Sequence, residues 1–404
     1  MAEAIGRTWK EIAVGFLNVG ATAYGGPAIM GVMQAEFQER RQWTSKPHFL
    51  EGLALVNVLP GATATQLGIF LGHARAGWWG GLLAGLCFAA PAFVVMLALA
   101  IAYQTLGVSP IVRGALYGLG PVVLAIFIAA LFRLGRSGIR SWIQVAIAAG
   151  AAIAALLGPL GPVPILLLAA GIGLFLFHRK RVGIVTLAGL TMAVLIAPRL
   201  GWWSLAMPST VSPEPTLGRI AALFAGIGVL TVGGGLTMIA LMQEHVVERL
   251  HWLTPREFVD GLALGQLTPG PVLMLAAYVG YKVLGVSGAI VAAAASFLPS
   301  FVLMLGLLPV FERIRTLGWA RAAMQGVVPA VIGVMAIALA RMVPDAAPDP
   351  LAIGMLVVAI LTLICWRPAP LKVMLGGSVV GVLRERLCDL PGVRALLCGA
   401  GWGR

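Results

Sequence analysis

The sequence predicts an all-α polytopic membrane protein of about thirteen transmembrane helices (eleven to thirteen) in two homologous halves, with several helices broken inside the membrane. Three observations predict it. Hydrophobic residues make up 60% of the 404 and charged residues only 11%, with a mean hydropathy of +0.96. A soluble chain carries roughly a quarter charged residues to coat its surface, so most of this surface faces lipid. Runs such as Gly80 to Tyr103 and Val286 to Val310 are almost free of charge over the length of a bilayer core. Finally, the first half matches the second at a fixed offset.

The apolar stretches lie near 11–33, 49–71, 79–103, 111–133, 141–158, 162–178 and 182–198. After a Pro-rich connection they resume at 217–242, 258–281, 286–310, 322–341, 351–366 and 369–383. Uninterrupted runs of this kind are helices, not the alternating segments of a barrel. The expected division is a first half at 1–200, a connection at 201–216 and a second half at 217–404. The N-terminus has no short apolar core followed by a small-residue cleavage site, so the first helix is expected to stay in the mature chain.

An offset of 209 carries Gly25–Gly61 onto the second half without a gap. It pairs Gly25-Gly26 with Gly234-Gly235, Trp43 with Trp252, Gly52-Leu53-Ala54-Leu55 with Gly261-Leu262-Ala263-Leu264, and Pro60-Gly61 with Pro269-Gly270. With one residue dropped the match runs on, Phe93 to Phe301, Pro121 to Pro329 and Arg133 to Arg341. Two unrelated apolar helices would match Leu and Ala, not Trp, Arg, Pro and Gly at fixed offsets. The basic residues then indicate orientation. Arg133, Arg136 and Arg140 follow the fourth stretch, whereas the equivalent loop has Arg341 with Asp345 and Asp349; one loop earlier the bias reverses. Cytoplasmic loops collect Lys and Arg, which predicts an inverted-topology repeat. The basic loop Gln34–Lys46 and the tail with Arg384, Arg386 and Arg394 disagree, since both fall on the side expected to be external.

Each half has two Gly/Pro interruptions inside apolar segments: Tyr24-Gly25-Gly26-Pro27 and Leu59-Pro60-Gly61, then Val232-Gly233-Gly234-Gly235 and Thr268-Pro269-Gly270-Pro271. Matching breaks in two halves point to a transport site. A half-helix starting at Pro or Gly presents free N–H groups and the positive end of its dipole, which favours an anion. The plainer reading is that the glycines serve packing and the prolines kink. Thr22 with Thr231 and Asn57 with Gln266 are paired polar flanks, and Thr63, Thr65 and Gln66 follow the first Pro-Gly break. They either ligate a polar solute or bond to helix backbone. The equivalent acids Glu51 and Asp260 either exchange protons or, the plainer reading, cap their helices. Arg75 and Lys282 either attract an anion or snorkel to the interface.

Several functions are excluded. The net charge of +13 is scattered between apolar runs with no cationic, aromatic-studded face, so nucleic acid is not expected as a partner. The four cysteines and five histidines form no CxxC, zinc spacing or HExxH, so no cofactor, metal or enzyme activity is expected. No GxxxxGK motif occurs, so energy must come from an ion gradient or a partner.

The glycine motifs followed by an acidic-basic loop with Trp43 or Trp252 resemble the chromate ion transporter family in its long two-domain form. So do Leu59-Pro60-Gly61 through Gln66, Gln266 through Pro271, Gly118-Leu119-Gly120-Pro121 through Arg133, and Phe297-Leu298-Pro299-Ser300-Phe301. The likeness covers roughly 10–383. It implies a multi-pass protein of the bacterial inner membrane that exports chromate by proton antiport and confers chromate resistance, with sulfate, an isostere, as competitor. A homodimer is a candidate assembly. Ala62 departs from the family pattern, where a second Pro more often follows Pro-Gly, and Tyr24 and Val232 stand where Phe is common. The rivals are a sulfate or other oxyanion carrier, a membrane-embedded enzyme, and a non-transporting scaffold. The last two are disfavoured for want of a catalytic cluster and because a scaffold needs no paired helix breaks.

Overall fold

The computed structural model describes residues 2–24, 26–57, 59–106, 109–157, 161–178, 180–196, 214–231, 235–308, 318–366 and 368–388. Among them the regular structure is all helical. The first half holds α1 (Ala2–Thr22), α2 (Gly26–Met33) with a π-helical extension (Gln34–Arg40), α3 (Lys46–Val56), α4 (Thr63–Leu106), α5 (Pro110–Gly138), α6 (Trp142–Leu157) and α7 (Pro162–Phe177). A linking helix, α8 (Lys180–Ile196), follows. The second half repeats the order: α9 (Leu217–Leu230), α10 (Leu236–Met242) with its own π extension (Gln243–Arg249), α11 (Pro255–Leu267), a 3₁₀ turn (Val272–Met274) and α12 (Leu275–Leu307). It ends with α13 (Gly318–Ala346), α14 (Pro350–Cys365) and α15 (Pro370–Cys388). Thr63–Leu106, Pro110–Gly138, Val272–Leu307 and Arg321–Ala346 are long and apolar enough to cross a membrane, and they form two equivalent pairs.

Several of the stretches expected to span do not run straight. α1 and the α2–π segment lie side by side: Phe16 stacks on Phe37 at 4.3 Å and the Arg41 guanidinium reaches the Glu11 carbonyl. α3 folds against the start of α4, where the Phe70 ring fills the space a Cβ on Gly52 would need; Tyr278 and Gly261 repeat the contact in the second half. These are helical hairpins whose tips are the Gly/Pro breaks. α4 and α12 each turn again, at Ala76-Gly77 and Leu284-Gly285, where the glycines have φ +65° and +64°. Gly72 and Gly80 meet backbone to backbone across the first turn, although eight residues of straight helix would separate them by about 12 Å.

These turns bring three segments to one face. Arg75 bonds Glu11 at 3.1 Å and lies over the Trp43 ring, so the loop after the first π helix and the Gly77 turn are neighbours. That face also receives the Arg133–Arg140 end of α5, because α4 crosses from the Gly77 turn to Tyr103, which bonds Asp260 of α11, and α5 spans back. The basic loop Gln34–Lys46 therefore lies on the same face as the α5 arginines rather than opposite them. The charge conflict arose from counting a hairpin as a single span. Of the tail, Arg384 is neutralised by Asp349 at 2.9 Å, and Arg394 falls outside the described residues.

Equivalent helices of the two halves pack antiparallel. Gly81 faces Leu305 and Gly85 faces Phe301 between α4 and α12, while Gly120 faces Ala346 and Gly138 faces Val328 between α5 and α13. The halves also interleave. Gly118 of α5 lies against the backbone of Gly377 in α15, and Gly326 of α13 lies against that of Ala169 in α7. Small residues let membrane helices approach this closely, and the dispersion contacts so gained hold the bundle.

Candidate functional site

The tips of the α3–α4 and α11–α12 hairpins meet the broken ends of the first helices from the opposite half. Gly61 N–H donates to the Thr231 carbonyl at 2.6 Å, and Gly270 N–H donates to the Ala23 carbonyl at 2.8 Å. The contact is reciprocal: exchanging the halves turns one bond into the other. Both tip glycines have positive φ, +123° and +91°, so glycine is required by conformation as well as by space.

This pairing corrects one detail of the sequence match. Gly20 packs on the Phe88 carbonyl and Gly228 on the Ser296 carbonyl, so before the first break the offset is 208, not 209. Thr231 is then the counterpart of Ala23, not of Thr22. The added residue is then Gly233, which the pairing of Gly25-Gly26 with Gly234-Gly235 leaves unmatched.

The remaining candidate residues are distributed as follows. Gly25, Gly233 and Gly234 lie outside the described residues; Gly26 and Pro27 open α2, and Gly235, at φ +93°, precedes α10. The Thr22 hydroxyl donates to the Asn18 carbonyl and the Thr231 hydroxyl to Ile227, both at 2.7 Å. Asn57 donates to Leu53 at 2.8 Å and Thr268 to Gly265 at 2.7 Å. These side chains thus spend a donor on their own helices. Gln266 is half-buried at the end of α11, whereas Pro269, Gly270 and Pro271 are buried. Gln66 differs. It is fully buried, its Nε2 donates to the Pro60 carbonyl at 2.7 Å, and its Oε1 has no hydrogen-bond partner among the described residues. The equally buried Thr65 hydroxyl has none either.

One residue at the tip was not selected from the sequence. The Ser300 hydroxyl, on α12, accepts from Ala62 N–H at 2.8 Å. The available signal was its place after Pro299, aligned with Ala92 after Pro91.

The acids and cations sit at the hairpin mouths, away from the tips. Neither carboxylate caps its helix: Ser45 caps α3, and Thr254 with Glu257 forms a capping box on α11. Asp260 is 5% exposed, accepts from the Tyr103 hydroxyl at 3.0 Å and lies 3.4 Å from Arg256. Glu51 is more exposed and faces His48 at 3.4 Å. Lys282 is paired with Glu257 at 2.8 Å, as Arg75 is with Glu11. Beside the second mouth, Gln243, Glu244, Glu248, Arg249 and Arg341 line a cleft of about 310 Å³. Its charges are internally paired, Arg249 with Glu244 and Arg341 with Glu248.

The sequence profile of the family described as chromate transporter matches this chain twice, over residues 10–174 and 218–382. The two matches are offset by 208, the spacing of the structural repeat. The chain is 29% identical over 390 residues to a chromate transport protein of Cupriavidus metallidurans, covering 93% of each. It is 31% identical over 363 residues to a chromate transport protein of Pseudomonas aeruginosa, covering 87% of this chain and 86% of the relative. A probable chromate transport protein of Synechococcus elongatus is 31% identical over 311 residues, 75% of this chain and 77% of the relative. No solved structure matches the chain.

Proposed function

The chain belongs to the chromate transporter family, and on that premise we propose that it is a secondary carrier exporting chromate across the bacterial inner membrane. The observation that carries this reading is the reciprocal pair of tip bonds, Gly61 to Thr231 and Gly270 to Ala23. Each tip is closed onto the opposite half by backbone groups, and such a bond is worth only about 1 kcal/mol net. A dianion that recruits the tip N–H groups offsets that loss, so opening one tip and then the other is a low-barrier exchange between two related states. The antiparallel packing of α4 on α12 and of α5 on α13 supports an inverted repeat. With the face carrying Arg41, Arg75 and Arg133 as the cytoplasmic one, the two sets of hairpins open toward opposite sides.

The test is chromate accumulation in everted vesicles carrying the protein, energised or with the proton gradient collapsed. Gradient-dependent uptake, reduced by excess sulfate, is expected. Sulfate movement without chromate movement would make the protein a sulfate carrier instead.

Of the two equivalent acids, Asp260 is the better proton carrier, because a carboxylate whose burial is this deep and whose partners are a phenol and an arginine changes proton affinity when they move. Asp260→Asn, which preserves shape, is expected to abolish gradient-driven accumulation while chromate–chromate exchange continues. Glu51→Gln should retain both. Accumulation undiminished in Asp260→Asn would remove that residue from the coupling.

A further inference from the structure

Resting on the chromate reading, we propose that the two tips are not equivalent sites: the oxyanion binds at the Pro60–Gln66 tip alone, and Ser300 from the other half determines its affinity. The repeat supplies an internal control, since each tip has a counterpart built on the same backbone. At the first tip, a Cβ placed on Gly61 would lie 2.5 Å from Ser300 Oγ and 2.6 Å from Gln66 Nε2, so both polar groups crowd the glycine. Ala62 N–H is held by Ser300 Oγ at 2.8 Å. At the second tip, a Cβ on Gly270 would meet the Ala92 methyl at 2.8 Å and the Gly20 carbonyl at 3.4 Å. Ala92 is the counterpart of Ser300, each following a helix-interior proline, Pro91 or Pro299.

The arms after the tips diverge in the same sense. The first continues as Thr63-Ala64-Thr65-Gln66 and the second as Val272-Leu273-Met274. One tip therefore has a hydroxyl and an amide where the other has a methyl and apolar side chains.

The unpartnered atoms fall on the polar side only. Gln66 has one amide proton beyond that given to Pro60, and an amide carries two. Gln66 Oε1 and Thr65 Oγ1 are fully buried without partners among the described residues, a costly condition for a binding tip to tolerate unless a ligand relieves it. A tetrahedral oxyanion takes the Gln66 N–H, the Thr65 and Ser300 hydroxyl protons and the Gly61 amide now lent to Thr231, while Ser300 Oγ goes on holding Ala62 N–H. A water that travels with it, or the hydroxyl of its monoprotonated form, can donate to Gln66 Oε1. At the second tip Pro271 has no N–H to add to the Gly270 amide, the Thr268 hydroxyl is spent on the Gly265 carbonyl, and the atoms nearest a Gly270 Cβ are the Ala92 methyl and the Gly20 carbonyl, so a dianion there would stay largely unsolvated.

Initial-rate chromate uptake in everted vesicles and equilibrium dialysis of chromate against the purified protein test this together. Ser300→Ala is expected to raise both KM and Kd by about tenfold, the scale of one hydrogen bond to a charged group, with the maximal rate little changed. Ser300→Thr, which keeps the hydroxyl, should restore most of the affinity, an outcome that a merely structural role for the tip contact would not require. Ala92→Ser should leave both constants near wild type. Unchanged constants in Ser300→Ala, or a change in Ala92→Ser as large as in Ser300→Ala, would overturn the single-tip assignment. Wild-type protein that moves no chromate refutes the transport reading instead, and dialysis then still decides which tip binds.

Discussion

Gly61→Ala is expected to abolish chromate uptake in protein that still folds and inserts. Two costs converge on this one methyl group. At φ +123° an L side chain is strained by about 1–3 kcal/mol. The methyl would also lie 2.5 Å from Ser300 Oγ and 2.6 Å from Gln66 Nε2, so one of them must move. If Ser300 yields, Ala62 N–H loses its acceptor; if Gln66 yields, the Pro60 carbonyl loses its donor. Either adds about 1 kcal/mol, and a total near 3 kcal/mol corresponds to roughly a hundredfold in occupancy of the tip geometry. The hairpin arms, held by the Phe70–Gly52 packing, are untouched, so the fold survives. Uptake rate together with elution of a monodisperse protein from detergent checks both halves of the expectation. Uptake within a few-fold of wild type would show that the tip conformation does not govern the passage of substrate.

The membrane class, the duplication and the four breaks were legible in the sequence because each is a one-dimensional pattern: an apolar run, a fixed offset, a Pro or Gly inside a run. What a break does was not legible. A stretch such as 49–71 has the same composition whether it crosses or doubles back, and the deciding contact, Phe70 on Gly52, exists only once it is folded. The same ambiguity put the Gln34–Lys46 loop on the wrong face. The pairing of Thr22 with Thr231 failed for a related reason. An inserted glycine shifts the register by one inside the break, and only the packing of Gly20 and Gly228 on their neighbours' carbonyls locates the shift. Ser300 was named within the family-like run Phe297–Phe301 but not as a site residue, because a serine inside an apolar helix reads as a helix-packing residue. Its aim at a tip 238 residues away is a tertiary fact. The polar flanks Thr22, Asn57 and Thr268 show the converse: spacing brought them forward, and each spends a donor on its own helix.

The second large effect concerns the interleaving of the halves. A Cβ on Gly118 would lie against the Gly377 carbonyl far inside van der Waals contact, and the obstacle is backbone, which cannot rotate away. Gly118→Ala therefore requires α5 and α15 to separate, and the dispersion contacts along the whole seam weaken with distance. A cost at the upper end of the usual overpacking range, about 3 kcal/mol, is expected. The repeat predicts the same for Gly326→Ala, which drives α13 off α7 at the Ala169 carbonyl. Gly150 in α6 offers the opposite case. Among the described residues nothing beyond its own helix backbone lies within 4 Å of where its Cβ would stand, so Gly150→Ala should be neutral or stabilising by up to about 1 kcal/mol through helix propensity alone. Thermal-denaturation midpoints in detergent should thus fall for the first two variants and hold or rise for the third. If Gly118→Ala and Gly150→Ala behaved alike, the close backbone approach of α5 and α15 would not contribute to holding the two halves together.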